Sequence, residues 1–172
     1  MKKDELVGLL YEHLDLVAGP SFVAEHPVEL SLANQSTLRL RLYVWTVTRQ
    51  YGGRLQDEYK MQVILPGQKK GERGSVDFSG GRLPMLMGYS PDFGCWVIWD
   101  ETCYENFAYS RNMQVKEDTL ARTYTEKISR QTRIVRQSGI RISETILACQ
   151  PQYLLEALYL RSITVGREIG EI

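Results

Sequence analysis

Histidine and cysteine are scarce in this 172-residue sequence, and that scarcity narrows its chemistry. The two histidines, His13 and His26, both lie near the N-terminus. A multi-histidine metal site, an HNH nuclease or an HExxH protease needs more of them, in other positions. Cys95, Cys103 and Cys149 form neither a CxxC pair nor a disulfide framework. Phosphate-cradling GxxxxGK(S/T) and GxGxxG loops are missing, as is a GxSxG nucleophile turn, so no metal or cofactor is called for. No apolar run approaches the ~18 residues of a membrane span. The charged start, Met1-Lys2-Lys3-Asp4-Glu5, has no apolar signal core behind it. These absences place the expected chain in the reducing cytoplasm. An excess of either charge is lacking too, since 21 Lys+Arg balance 21 Asp+Glu. With 43% apolar residues and no net charge, intrinsic disorder is excluded, and the length suits one domain with its own core.

What is present is segregated. Between Arg111 and Arg141 stand eight basic residues (Arg111, Lys116, Arg122, Lys127, Arg130, Arg133, Arg136, Arg141) and three acids (Glu117, Asp118, Glu126), 8 − 3 = +5. Between Thr37 and Arg54 stand Arg39, Arg41, Arg49 and Arg54 with no acid, a further +4. Such segregation suggests a surface facing a polyanion, provided that both stretches converge in space. The alternative is a solvated basic face without a partner.

Periodicity orders the chain. Residues 3–18 predict an amphipathic helix on Leu6, Leu9, Leu10, Leu14 and Val17, stopped by Gly19-Pro20. Residues 21–27 read as loop. Residues 38–49 alternate strictly, with Leu38, Leu40, Leu42 and Val44 on one face and Arg39, Arg41, Tyr43, Trp45 and Arg49 on the other. The second face can bind phosphate through arginine and stack on bases through its rings, or it can lie beneath another layer with the arginine stems snorkelling at the rim. A Tyr51-Gly52-Gly53-Arg54 turn leads to a strand at residues 55–65, which sets Gln56, Glu58, Lys60 and Gln62 on one side. Residues 66–83 form a long loop whose Lys69, Lys70, Arg73 and Arg82 suit a flexible arm on a phosphate backbone or a solvated surface. Residues 85–89 and 95–99 make a hairpin around the turn at 90–94, and Cys95-Trp96-Val97-Ile98-Trp99 is apolar at every position, hence buried on both faces. A short apolar stretch at 113–115 leads to a predicted helix at about 117–129, with acids first and bases later. Residues 130–141 read as irregular or an exposed helix end, and residues 143–149 as a strand. Pro151 opens a last helix. Residues 1–162 are read as one domain and residues 163–172 as a tail or linker to a further domain.

Two patterns carry candidate chemistry. Glu58-Tyr59-Lys60 has the spacing of the (D/E)xK half of a Mg²⁺-dependent PD-(D/E)xK nuclease, in which a carboxylate holds the ion and lysine supports the attacking water. The upstream acid that such a centre needs is missing from residues 38–54. A cross-strand charge pair with Arg49 or Arg41 explains the same residues. Ser110-Arg111-Asn112-Met113-Gln114 gathers groups that read base edges, and equally those that satisfy a polar loop.

Taken together, Tyr43-Val44-Trp45-Thr46, Asp57 to Gln62, Leu86-Met87-Gly88-Tyr89, Val97-Ile98-Trp99-Asp100, the Ser110 and Met113-Gln114-Val115 stretch and Glu144-Thr145-Ile146 before Pro151 resemble bacterial proteins encoded beside DNA methyltransferases, described as methylase-associated or restriction-endonuclease-like. Thr102-Cys103-Tyr104 and Lys60 depart from that pattern. The resemblance implies a DNA-recognition domain of a restriction or antiviral defence system, with nuclease or ATPase activity in another domain or subunit. The expected fold is α+β: a bent, mostly antiparallel sheet or pseudo-barrel flanked by an N-terminal helix and two helices in the C-terminal half. The expected function is recognition of a specific or modified site in double-stranded DNA. Arg39, Arg41, Arg49, Arg54, Lys69, Lys70, Arg111, Arg122, Arg130 and Arg133, with the series running to Arg136, are expected on phosphates. Tyr51, Glu58, Gln62, Asn112 and Gln114 are expected on base edges, and Tyr43, Trp45 or Tyr109 on a flipped base. No catalytic residue is assigned. The alternatives are a nuclease built on Glu58 and Lys60, and a protein-interaction module of a defence complex.

Overall fold

The alternating segment that begins at Thr37 becomes the second strand of a six-stranded sheet. In the computed structural model, residues 1–16, 25–33, 37–49, 57–137 and 139–170 are described. Helix α1 (Lys3–His13) begins with Asp4 and Glu5 in its first turn, where the helix dipole favours acids. It ends at Leu14, and Asp15 turns the chain with a positive φ of 57°. The helix is therefore shorter than the periodicity predicts, and the Gly19-Pro20 stop lies outside the described residues. Strand β1 (Val28–Ala33) was not foreseen, although Val28, Leu30 and Leu32 alternate inward; it pairs antiparallel with β2 (Thr37–Thr46).

At Val47 the chain leaves this sheet. Its backbone N–H donates to Tyr89 O at 2.8 Å, and β3 (Thr48–Arg49) then joins a second sheet with β4 (Glu58–Val63). Residues 38–49, predicted as one strand, are thus shared between two sheets. The crossing is tight: a Cβ on Gly88 would stand 2.5 Å from Val47 Cγ2, so the contact needs glycine. The predicted Tyr51–Arg54 turn falls outside the described residues. Short β5 (Arg73–Gly74) sits in the long loop; β6 (Leu83–Ser90) and β7 (Cys95–Trp99) form the expected hairpin. Short β8 (Phe107–Ala108) pairs with β5, and β9 (Arg111–Lys116) pairs antiparallel with β4.

The helix predicted from residue 117 is only α2 (Glu117–Ala121), followed by one 3-10 turn. Beyond it run β10 (Ile128–Gln137) and β11 (Ile140–Cys149), a long hairpin whose turn includes Gly139 at φ 85°. The basic stretch at 130–141 is therefore largely strand. Its period is hidden because the inward face of the hairpin mixes Val135 and Ile142 with Arg133 and Glu144, while Ile134 and Ile140 are exposed, so polarity does not follow the strand alternation. Helix α3 (Leu154–Gly170) follows a 3-10 turn opened by Pro151, and it continues through most of the stretch expected to be a tail.

The large sheet has the order β1-β2-β6-β7-β11-β10, with β2 and β6 parallel and the other neighbours antiparallel. It is not closed into a barrel. One face packs Leu40, Leu42, Met85, Trp96 and Ile98 against α1 and α3. The other packs Leu86, Val97 and Trp99 against Tyr59, Met61 and Val63 of β4 and Met113 and Val115 of β9. The fold is α+β in three layers: helices, large sheet, small sheet β3-β4-β9. Burial of β7 on both faces follows from this layering, and removing five apolar side chains in a row from water makes it the hydrophobic centre of the chain.

Candidate nucleic-acid interface

Because side chains alternate along a strand, packing Tyr59, Met61 and Val63 inward turns Glu58, Lys60 and Gln62 outward. On β9 the same rule buries Met113 and Val115 and turns Asn112, Gln114 and Lys116 outward. The register sets Glu58 opposite Lys116, Lys60 opposite Gln114 and Gln62 opposite Asn112. Four of the five residues expected on base edges therefore share one outward face: Glu58, Gln62, Asn112 and Gln114. Tyr51, the fifth, lies outside the described residues, as does Arg54. The face is held by its own hydrogen bonds. Gln114 Nε2 donates to Glu58 Oε2 at 2.9 Å, and Gln62 Nε2 donates to Ser110 Oγ at 2.6 Å. Lys116 Nζ lies 3.0 Å from Asp57 Oδ2 and 3.5 Å from Glu58 Oε1; its hydrogen bond to Asp57 holds that carboxyl below the usual range.

The nuclease alternative asks more of this face than it offers. Glu58 is shared between an amide and Lys116, and Lys60 faces Gln114 and Thr48 across the strands. Among the described residues, no group of three or more His, Cys, Asp or Glu side chains is placed to hold a metal ion. The histidines serve as acceptors instead: His13 Nδ1 takes the Trp96 indole N–H at 2.9 Å, and His26 Nε2 takes the Val44 backbone N–H at 2.8 Å. Burial pushes His26 down to about 4. All three cysteines are free and buried, and burial raises Cys95 and Cys103 to about 12.

The arginines divide into two groups, and this corrects the expectation of one continuous positive surface. Arg41 is buried, ion-paired to Glu29 at 2.8 Å and Asp77 at 2.6 Å, with a further bond to Asp77 O at 2.8 Å. Arg82 joins the same cluster through Glu29. Arg49 lies 3.5 Å from Glu117 and against the Tyr59 ring. Arg122 is held by Asp118 and Glu126, and Arg133 by Glu144, which is fully buried. These guanidiniums already have internal carboxylates. Arg39, Lys69, Lys70, Arg111 and Arg130 are exposed, and among the described residues none is ion-paired. The two basic stretches touch where Arg49 pairs with Glu117, but there the guanidinium is already opposed by a carboxylate.

The stacking residues also separate. Tyr43 is buried, its hydroxyl accepting from Asp77 N–H at 3.3 Å, so the covering layer applies here and a base cannot reach it. Trp45 stacks on Tyr43 with ring centroids 6.3 Å apart and lines a cavity of about 280 Å³ with Lys3 and His26. Tyr109 is half-buried beside Ser110.

Sequence reasoning missed two features. One is the buried pairing of Arg161 with Asp100 and Glu101, which ties α3 to the end of β7. The other is Arg133–Glu144–Tyr104, in which the Tyr104 hydroxyl donates to Glu144 Oε1 at 2.5 Å. A signal for the second existed, since Glu144 shares parity with Ile142 and Ile146 on an inward strand face. Above it lies a cavity of about 260 Å³ where Arg111 meets Arg73 and Arg136. Among the described residues, no helix is long and apolar enough to cross a membrane.

Comparison with curated proteins and with solved structures gave no match. A family model does match, over residues 38–158, which include both sheets' central strands and every described residue of the outward face. The chain belongs to the Methylase-associated X1 family.

Proposed function

We propose that this chain is a DNA-recognition module of a restriction–modification or defence system, reading a specific or modified duplex site while a partner domain or subunit supplies nuclease or ATPase activity. One observation carries the reading: Glu58, Gln62, Asn112 and Gln114 stand side by side on the outward face that β4 and β9 share, while Arg111, which pairs with buried Val63, starts β9 with the opposite parity. A two-stranded ribbon fits the major groove of B-DNA, about 12 Å wide, where adenine N6 and cytosine N4 present donors and thymine its methyl. Amides pair with adenine edges, and a carboxylate accepts from cytosine N4. Methyl groups added to those nitrogens, or to cytosine C5, project into the same groove, which connects this face to a methylase-associated family. The hydrogen bonds Gln114–Glu58 and Gln62–Ser110 hold the readout groups in place before DNA arrives. Phosphate contacts fall to the exposed Lys69 and Lys70 and to Arg73, Arg111 and Arg136, which line one cavity, rather than to the ion-paired arginines.

The test is fluorescence anisotropy on duplexes that are unmodified, N6-methylated at adenine or C5-methylated at cytosine, at about 50 mM and about 200 mM salt. Binding is expected to weaken with salt at a log–log slope of about −4 to −5, as five phosphate contacts would give, to be indifferent to EDTA, and to differ between duplexes. Absence of duplex binding at the lower salt overturns the reading. Mg²⁺-dependent cutting lost in Glu58→Ala overturns it in favour of the nuclease.

A further inference from the structure

Arg73 on β5, Arg111 on β9 and Arg136 near the β10–β11 turn come from three separate strands, yet they line one polar cavity of about 260 Å³. None of the three is ion-paired among the described residues; Glu105, the acid on the rim, is exposed and engages none of them. Two of the three are held in place. Asn106 binds Arg73 twice, through its side-chain carbonyl (2.7 Å from Nε) and through its backbone carbonyl on a terminal nitrogen. Arg111 lies over the Tyr104 ring, 5.9 Å from its centroid, and that ring is anchored by the hydroxyl's bond to buried Glu144. Arg136 faces Arg141 directly across the hairpin, a like-charge pair that costs stability unless an anion relieves it. The loop between β8 and β9 supports the same site: Asn106 and Ser110 both hold positive φ, 52° and 63°, a conformation that non-glycine residues keep where the surroundings demand it.

We propose that this cavity is a phosphate-binding site, taking a phosphoryl oxyanion between Arg73, Arg111 and Arg136. Three forked donors lining one cavity match the several oxygens of a tetrahedral phosphate better than the two of a carboxylate. The volume lies just below the range of about 300–1,000 Å³ typical of small-molecule pockets, which suits a phosphoryl group with little attached. The assignment of that phosphate to a DNA backbone rests on the proposed DNA reading; the site itself stands on the guanidinium geometry. Free phosphate, or a nucleotide bearing one, is the other source.

The experiment titrates the whole chain with inorganic phosphate by calorimetry, against chloride and acetate at equal ionic strength. Phosphate is expected to bind in the millimolar range and acetate far more weakly. Arg111→Ala is expected to weaken phosphate at least tenfold and Arg111→Lys, which keeps the charge and loses the fork, by less. Arg39→Ala, an exposed arginine outside the cavity, is expected to leave it unchanged. Phosphate binding no tighter than acetate or chloride overturns the site, as does an Arg39→Ala effect equal to that of Arg111→Ala. The source is resolved by duplex DNA. If phosphate competes with the duplex and Arg111→Ala weakens both, the backbone is the ligand. If phosphate binds and no duplex does, the cavity stands with free phosphate or a nucleotide as its ligand, and the DNA reading fails alone. If the duplex binds and phosphate does not, the cavity proposal fails alone.

Discussion

Arg161 and Arg111 carry the same charge in opposite surroundings. Arg161 is 1% exposed and lies between Asp100 and Glu101, two carboxylates as buried as itself. Arg111 is exposed, rests on an aromatic ring and shares a cavity with two more guanidiniums and no bound carboxylate. The difference follows from the cost of burial. A charge removed from water needs an opposite charge and hydrogen bonds, so each interior arginine has recruited acids. A charge left at the surface keeps its water, and it can exchange that water for an incoming anion without breaking an ion pair. Counting charges along the chain treats the two alike. The excess of five between Arg111 and Arg141 includes Arg133, whose carboxylate, Glu144, lies three residues beyond that stretch. Surface charge available to a partner is what remains after the interior pairs are removed.

The sharpest test of this contrast is Arg161→Ala. It leaves Asp100 and Glu101 buried together with no cation, and the expected loss is about 3–5 kcal/mol of folding stability, read as a shift in urea midpoint. A loss below about 1 kcal/mol would mean that water reaches the cluster. Next in size is a pH effect from Glu101. Burial pushes its carboxyl up to about 7, against the pull of Arg161, and its second oxygen has no hydrogen-bond partner. With Glu101 protonated, Arg161 and Asp100 balance one another. A carboxyl whose folded value is raised binds its proton more tightly in the folded state. Its contribution is therefore present below the unfolded value of 4.5 and lost as pH rises to about 7. Wild type is expected to lose stability relative to Glu101→Gln between about pH 4.5 and about pH 7, by up to about 3 kcal/mol. Parallel pH profiles for the two proteins would refute the assignment.

The same contrast explains how much was legible in sequence. Alternation along Leu40, Leu42 and Val44, the turn between β6 and β7 and the Pro151 helix start are local signals, and each appears in the structure. The α+β class follows from them. Strand β10 is illegible as a strand because its inward positions hold Arg133 beside Val135 and its exposed face holds Ile134, so polarity does not follow the period of two. The common face of Glu58 and Gln62 is implied by parity, as is that of Asn112 and Gln114, but the antiparallel register that joins the pairs is tertiary information. Ion pairing is less legible still. Arg41 reaches back 12 residues to Glu29 and forward 36 to Asp77, and no spacing rule connects them. Arg73 reads as part of a mobile arm until β5 pairs with β8 and places it beside Arg111.

On the readout face, Asn112→Ala is expected to cost about 1–3 kcal/mol of discrimination at a single base position, with little change in the salt slope. A competition assay with singly substituted duplexes measures it, and a uniform loss over all sequences would move Asn112 from base to backbone. The smallest expected effects compare two arginines of the same basic stretch. Arg111→Ala should weaken duplex binding by about 1 kcal/mol and reduce the salt slope by about 0.9, with folding stability changed by less than about 0.5 kcal/mol. Arg122→Ala removes a cation held by Asp118, Glu126 and the Arg130 carbonyl. An anionic partner would have to displace two carboxylates to reach it, so DNA affinity and salt slope should stay within about 0.3 kcal/mol of wild type at moderate salt, once long-range charge is screened over about 10 Å. Equal effects of the two substitutions would mean that the duplex senses total charge rather than unpaired guanidiniums, and that pairing inside the protein does not decide which arginines meet DNA.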